Sequence, residues 1–324
     1  MFPLICDCDR LRRADGGVFA YAADTAWELI HRAAPGEIER YLDDRAAKGF
    51  TVIQTVLLAE LDGTTTPNHA GELPLVDGDI DRPNESYMAH ADHIISACAD
   101  RGLVVGLLPT WGAYVTPLWR PTPVLFDAAA AGRWGRWVGH RFGDHANVIW
   151  ILGGDRPVVE PEADHRPLWA AMAAGINQTQ AQPHLCSYHP PAGHTSADEL
   201  AAETWIDFHM CQSGHSSDRT APRRLVERMR RLDPSRPCLD AEPCYEDHPI
   251  DFDPAAGRFD ADDVERAIRA ALRAGAAGFA YGSHAVWQWL DDGRTPISHA
   301  RGSWHEALGS AGSSRVAELA DLIT

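Results

Sequence analysis

The chain has 324 residues, 45% of them hydrophobic, and a formal net charge of -17 at pH 7. That balance is ordinary for a globular protein and argues against a nucleic-acid partner, because phosphate backbones are held by lysine and arginine clusters and none stands out here. Seven scattered cysteines, an odd number, do not suggest a disulfide framework, and neither a signal peptide nor a membrane-spanning run is present, so a cytoplasmic location and no membrane partner are expected.

In chain order, residues 18–22 read as a first strand running into Asp24-Thr25-Ala26-Trp27-Glu28. Pro35 opens a helix at a position that tolerates proline, Ile38, Tyr41, Leu42 and Arg45 recur at helical spacing, and Gly49 closes it. Strand two is expected at 51–58. The irregular segment 60–84, rich in Gly, Pro, Asp and Thr, is longer than a loop without a function usually is and suits a substrate wall. Tyr87, Ala91, Ile94, Ile95 and Cys98 give the next helix its apolar face, and strand three at 103–108 ends in Pro109-Thr110-Trp111-Gly112. A helix over 124–142 precedes the unbroken apolar run 148–152, strand four, which two glycines and Asp155 terminate. A helix at 164–178, strand five at 184–190, strand six at 205–210 and a basic helix at 222–232 follow. Strand seven at Cys238, a helix at 260–274, strand eight at 277–281 and a closing helix at 315–323 complete the pattern. Eight alternations of strand and helix favour one (βα)8-barrel domain over residues 1–324 rather than an open doubly wound sheet. No dinucleotide fingerprint or phosphate loop appears, and no cofactor is expected.

Asp155 and Glu242 stand just past strands four and seven. Glycoside cleavage needs such a pair, one carboxylic acid to protonate the leaving oxygen and one carboxylate to attack the anomeric carbon or activate water. The bland alternative pairs Asp155 with Arg156 or makes it a helix cap, and sets Glu242 against a buried cation. Around the pair, Trp27, Trp111, Tyr245, Tyr281 and Trp287 suit stacking on a sugar ring, while Asp24, His189, Gln212, His215 and His284 suit hydrogen bonds to its hydroxyls. Trp150 reads as core, and Trp134 and Trp137 as packing of a helix on the barrel. Sixteen histidines raise a metal-assisted hydrolase, with His189, His209, His215 and His284 as conceivable ligands. Neither an early His-x-His nor a His-Glu-x-x-His helix is present, and no metal is expected.

The resemblance to a known family rests on Asp24-Thr25-Ala26-Trp27-Glu28, the run from Lys48 to Gln54, Leu108-Pro109-Thr110-Trp111-Gly112, the run from Trp150 to Arg156, Gln212-Ser213-Gly214-His215, Glu242-Pro243-Cys244-Tyr245-Glu246, and Tyr281-Gly282-Ser283-His284 with Trp287-Gln288. On these the chain resembles the apiosidase-like glycoside hydrolases. The resemblance implies a retaining barrel glycosidase with Asp155 as general acid/base and Glu242 as nucleophile. Its implied substrate is an oligosaccharide from which a terminal sugar is removed, such as apiose in a branched plant polysaccharide. Ala22-Ala23 stands where a glycine is expected, and no small β-domain follows the barrel. Related barrels carry Glu as the acid; the shorter Asp155 requires its backbone to come closer, which Gly153-Gly154 allows. A reading from another class is an inactive barrel that binds glycan or protein. The sequence carries no signal for an oligomeric state.

Overall fold

The computed structural model describes residues 3–323, so the outermost residues of the expected 1–324 domain lie outside the described residues. Eight parallel strands form the barrel: β1 Tyr21–Thr25, β2 Val52–Val56, β3 Val104–Leu108, β4 Val148–Gly153, β5 Cys186–His189, β6 His209–Cys211, β7 Cys238–Asp240 and β8 Gly278–Tyr281. Hydrogen-bonded neighbours run β6-β7-β8-β1-β2-β3-β4-β5, each pair in parallel register. Between β5 and β6 the ring closes without a regular ladder. There the Asp207 amide donates to the Cys186 carbonyl at 2.9 Å, and the Ser187 hydroxyl donates to the Phe208 carbonyl at 2.6 Å.

Each strand is buried on both faces, which the unbroken apolar runs of β3 and β4 suit. Inside the barrel the Tyr21 hydroxyl donates to Gln54, and the Gln54 amide donates to the Ala241 carbonyl at 3.1 Å, so these two polar side chains in the interior are partnered. The helices begin where their caps dictate. Asn84 accepts the Ser86 amide before helix Glu85–Asp100, and Asp127 accepts the Ala130 amide before helix Ala128–Phe142. The latter cap is why that helix starts at 128 rather than at the expected 124.

The first strand also starts later than residues 18–22 suggest. Ahead of it an antiparallel hairpin, Ile5–Asp7 with Arg10–Arg12, meets the chain again: Arg12 bridges Val18 and the Phe19 amide donates to the Leu11 carbonyl. Those residues pair with the hairpin instead of entering the barrel. Segment 60–84 is irregular, as expected, apart from a turn of 3-10 helix at Val76–Gly78. Trp150 is fully buried with its indole N–H on Gln180, and Trp134 donates to the Pro109 carbonyl while stacking on Trp137. Both readings of these residues as packing hold. Among the described residues no helix is long and apolar enough to cross a membrane.

Candidate active site

The C-terminal ends of the strands surround a cavity of about 490 Å³, where this fold gathers its functional loops. At the end of β4 three successive residues take left-handed backbone, Gly153 at φ 90°, Gly154 at 107° and Asp155 at 54°. The turn brings the Gly154 amide onto the His189 carbonyl at 3.0 Å. Both glycines are sterically required. A Cβ on Gly153 would lie 2.6 Å from the His189 carbonyl oxygen, and one on Gly154 would lie 2.7 Å from the Trp111 ring. Aspartate is among the few side chains that tolerate the third position.

The β7 end is fixed to the loop after β6. Asp240 accepts the Ser213 amide at 3.2 Å and its hydroxyl at 2.6 Å, and the Gly214 amide donates to the Glu242 carbonyl at 3.0 Å. Glu242 is thereby held between two histidines. His215 Nε2 lies 3.2 Å from Oε1, and His189 Nε2 lies 3.4 Å from Oε2 without hydrogen-bond alignment. One donor atom each from Asp155, His189 and Glu242 falls within 4.8 Å of the others.

The two carboxyls are driven in opposite directions. Burial, then the charge of Glu242, pushes the Asp155 carboxyl up to about 7, against the pull of His189 and Arg156. Burial also acts to raise Glu242, but His189 and His215 outweigh it and hold that carboxyl well below the usual range. Around them several buried polar atoms have no hydrogen-bond partner: Trp111 Nε1, Asp155 Oδ1, both ring nitrogens of His189, Gln212 Oε1 and Glu242 Oε2. Buried polar groups are normally satisfied, so this convergence marks a surface shaped for a ligand rich in donors and acceptors.

Of the residues expected from the sequence, Trp27, Trp111, Asp155, Gln212, His215, Glu242, Tyr245 and Trp287 line the cavity. His189 lies beneath it, its ring centroid 5.3 Å from that of Trp27 and 6.0 Å from that of Trp111. Three others are placed elsewhere. Asp24 turns outward from β1, where its carboxylate accepts Tyr41 and Arg45, both at 2.6 Å. Tyr281 donates to Glu246 at 2.7 Å and is fully buried. His284 stands behind the cavity wall, donating from Nε2 to the Ser298 carbonyl and accepting the Trp287 indole N–H at Nδ1. The expected contacts of these three with substrate are therefore corrected to structural roles.

Glu60, Arg156, His248, Trp119 and Phe252 line the cavity without having been singled out as substrate contacts. Arg156 pairs with Glu60 at 2.9 Å and gives Asp155 only a bond to its backbone carbonyl, which overturns the Asp155–Arg156 ion pair. Burial pushes the Glu60 carboxyl up to about 7, opposed by Arg156. His248 stacks on His215 at 4.0 Å. Its signal in the sequence was only its place two residues beyond Tyr245-Glu246.

The four histidines weighed as metal ligands do not converge, since His209 faces Ser196 and Asp233. Among the described residues other donor groups lie close together at Glu28, His31 and Asp62 and at Glu37, Asp291 and His305. In the former, Arg32 already contacts both carboxylates, at 3.2 and 2.6 Å.

Comparison with known proteins follows the same lines. Residues 7–324 match the family described as apiosidase-like, catalytic domain. No curated protein matches. Among solved structures, a glycoside hydrolase family 5 protein from Bacteroides vulgatus ATCC 8482 is 28% identical, with a TM-score of 0.87 over 98% of this chain and 70% of that one. A second, described as a glycoside hydrolase, is 27% identical with a TM-score of 0.88, covering 98% and 74%. An exo-β-1,4-mannosidase from Opitutaceae bacterium strain TAV5 shares the fold at 13% identity, with a TM-score of 0.65 over 98% of this chain and 62% of that one. The chain belongs to the apiosidase-like glycoside hydrolases, a (βα)8-barrel enzyme family.

Proposed function

We propose that the enzyme removes a terminal sugar, apiose or another residue of a plant glycan, by a retaining mechanism with Asp155 as acid/base and Glu242 as nucleophile. The observation that carries this reading is the divergence of the two carboxyls on one cavity floor: one is pushed up into the range of an acid at neutral pH, the other is held ionised. Their close approach through His189 supports double displacement, since retaining pairs stand ~5–5.5 Å apart and inverting pairs ~6.5–9.5 Å. Glu242 attacks the anomeric carbon as the bond to the leaving oxygen breaks, and Asp155 gives that oxygen its proton. Asp155, now ionised, takes a proton from water as the water attacks the glycosyl-enzyme ester, which releases the sugar and restores Glu242.

The unpartnered atoms of Trp111, His189 and Gln212 would take the sugar hydroxyls, and the Trp27 and Trp111 rings would meet its apolar face. The test is release of monosaccharide from plant-derived oligosaccharides, apiose-containing ones included, by wild type and Glu242→Gln. Release by wild type, with a loss of about 10⁴-fold or more in the variant, is expected. Release undiminished in the variant would overturn the assignment.

A second reading, metal-assisted hydrolysis, draws on the same Asp155, His189 and Glu242 donors. Activity that a chelator abolishes and a divalent metal restores would favour it.

A further inference from the structure

The cavity has two chemically different halves. Its floor carries the unpartnered polar atoms, whereas its mouth is framed by Leu118, Trp119, Pro191, Ala192, Phe252 and Ile297. Leu118, Trp119 and Phe252 are 58%, 52% and 55% exposed, and exposed large apolar groups gathered at one opening mark a binding surface. Trp119 sits on the loop after β3 and Phe252 on the loop after β7, four strands apart in a ring of eight, so they face each other across the opening.

Phe252 is held there against its own backbone preference. It takes φ 60° directly after Asp251 at φ 53°, a conformation that bulky residues rarely adopt. The segment is fastened where it strains: the Asp251 amide donates to the His215 carbonyl at 2.9 Å, and the Asp251 carboxylate accepts the Ser217 amide at 2.9 Å. The Phe252 ring stands edge-on to His248 at 4.7 Å and to His215 at 5.8 Å. Strain kept at a site edge, with the side chain it presents left in water, points to an occupant that covers that side chain.

We propose that the mouth is a leaving-group subsite for a flat apolar aglycone, an aryl group rather than a second sugar, gripped between Trp119 and Phe252. The assignment rests on the glycosidase reading of the floor. A second sugar would bring a ring of hydroxyls to a rim that offers few partners. Arg156 is spent on Glu60 and on the Thr116 and Asp155 carbonyls, the Trp287 indole N–H on His284, and the Ser298 carbonyl already accepts from His284, which leaves the second Glu60 oxygen as the main free acceptor. An aryl ring needs none of these bonds and covers both aromatic faces.

The test is calorimetric binding to Glu242→Gln, with Glu242→Ala as a second background that lacks the nucleophile, of the 4-nitrophenyl, methyl and glucosyl glycosides of apiose, mannose and glucose. For the sugar that fits, the 4-nitrophenyl member should bind at least ~10-fold more tightly than the methyl and glucosyl members. Trp119→Ala and Phe252→Asn, the latter keeping a residue that accepts left-handed backbone, should each remove most of that advantage. They should leave methyl glycoside affinity within about threefold, since both rings stand at the mouth and Phe252 meets the floor only edge-on at His215. An aryl member that binds no better than its methyl or glucosyl counterpart, or an advantage that survives both substitutions, overturns the proposal. Wild-type hydrolysis of the same compounds separates the two readings. Sugar release with no aryl preference in binding removes the mouth assignment alone, and aryl binding with no release from any compound removes the chemistry of the floor alone.

Discussion

His215 Nε2 faces Glu242 Oε1 at 3.2 Å while its Nδ1 accepts the Tyr245 amide at 3.4 Å, so the backbone selects the tautomer that donates to the carboxylate. The ring is held in that orientation by His248, stacked at 22° to it, which is itself anchored by donation from Nδ1 to the Pro249 carbonyl at 2.7 Å. Burial, with His215 and His284 alongside, pushes His248 down to about 2, so this supporting ring stays neutral over the working range. His248 thus serves to orient His215 rather than to supply charge.

Removing the donor should therefore release Glu242 towards its ordinary carboxyl range. In His215→Ala the acid limb of the kcat/KM profile should move up by about one unit or more, and kcat/KM at its optimum should fall by about 10- to 100-fold. A loss of activity with an unmoved acid limb would reduce His215 to a packing residue. His215→Asn, which keeps a donor, should recover part of the rate.

The alkaline limb belongs to the proposed acid. Asp155 must be protonated to serve the leaving oxygen, and burial with Glu242 places its carboxyl at about 7. kcat/KM should thus be level below that value and fall about tenfold per unit above it. Substrates whose leaving groups need no proton should lose this limb, and a limb that persists with them would assign it to another group.

Much of this architecture is legible in the residues. The run from Val148 to Leu152 and the glycines after it announce a buried strand and its turn, and the alternation of short strands with amphipathic helices locates eight barrel strands even where β5, Cys186-Ser187-Tyr188-His189, is polar and β1 begins later than its apolar run suggests. What the sequence leaves hidden depends on direction. Asp24 lies near the end of β1 and Glu242 just past β7, yet one points outward to Arg45 and the other inward to His189, a difference of strand register that no motif encodes. Glu60 opens a segment without periodicity, and only the closed ring brings it to Arg156, 96 positions away. Phe252 likewise gains its meaning from a left-handed turn that its residue type argues against.

Asp155 should illustrate a conflict between catalysis and stability. Its folded carboxyl is raised from about 3.8 to about 7, so folding favours its protonated form; the resulting cost to stability grows as pH rises between those values and is complete above the upper one. Asp155→Asn removes that titration and puts asparagine, which accepts left-handed backbone, at φ 54°. The variant should lose turnover by about 10²- to 10⁴-fold yet gain roughly 1–3 kcal/mol at pH 8, with a smaller gain at pH 5. Denaturant titrations at the two pH values check this, and a gain independent of pH would attribute the effect to the backbone alone.

Asp24 separates scaffold from substrate contact most directly, because its place near the end of β1 looks the same in the sequence under either role. In the fold it is fully buried with Arg45, which is also fully buried and reaches it at 2.6 Å, and the Tyr41 hydroxyl donates to the same oxygen. Burial pushes the Asp24 carboxyl up while Arg45 and Tyr41 pull it down, so the group matters chiefly as the acceptor for two fully buried partners. Asp24→Ala leaves Arg45 with the Asp44 carboxylate at 2.7 Å, but turns its Nε and the Tyr41 hydroxyl onto a void between β1 and helix Pro35–Ala47, and the expected cost is about 2–4 kcal/mol. Because the carboxylate lies outside the cavity, KM at a temperature where the variant remains folded should stay within about twofold of wild type. A large rise in KM with unchanged thermal stability would return Asp24 to the sugar, and would mean that β1 presents the opposite face to the one found here.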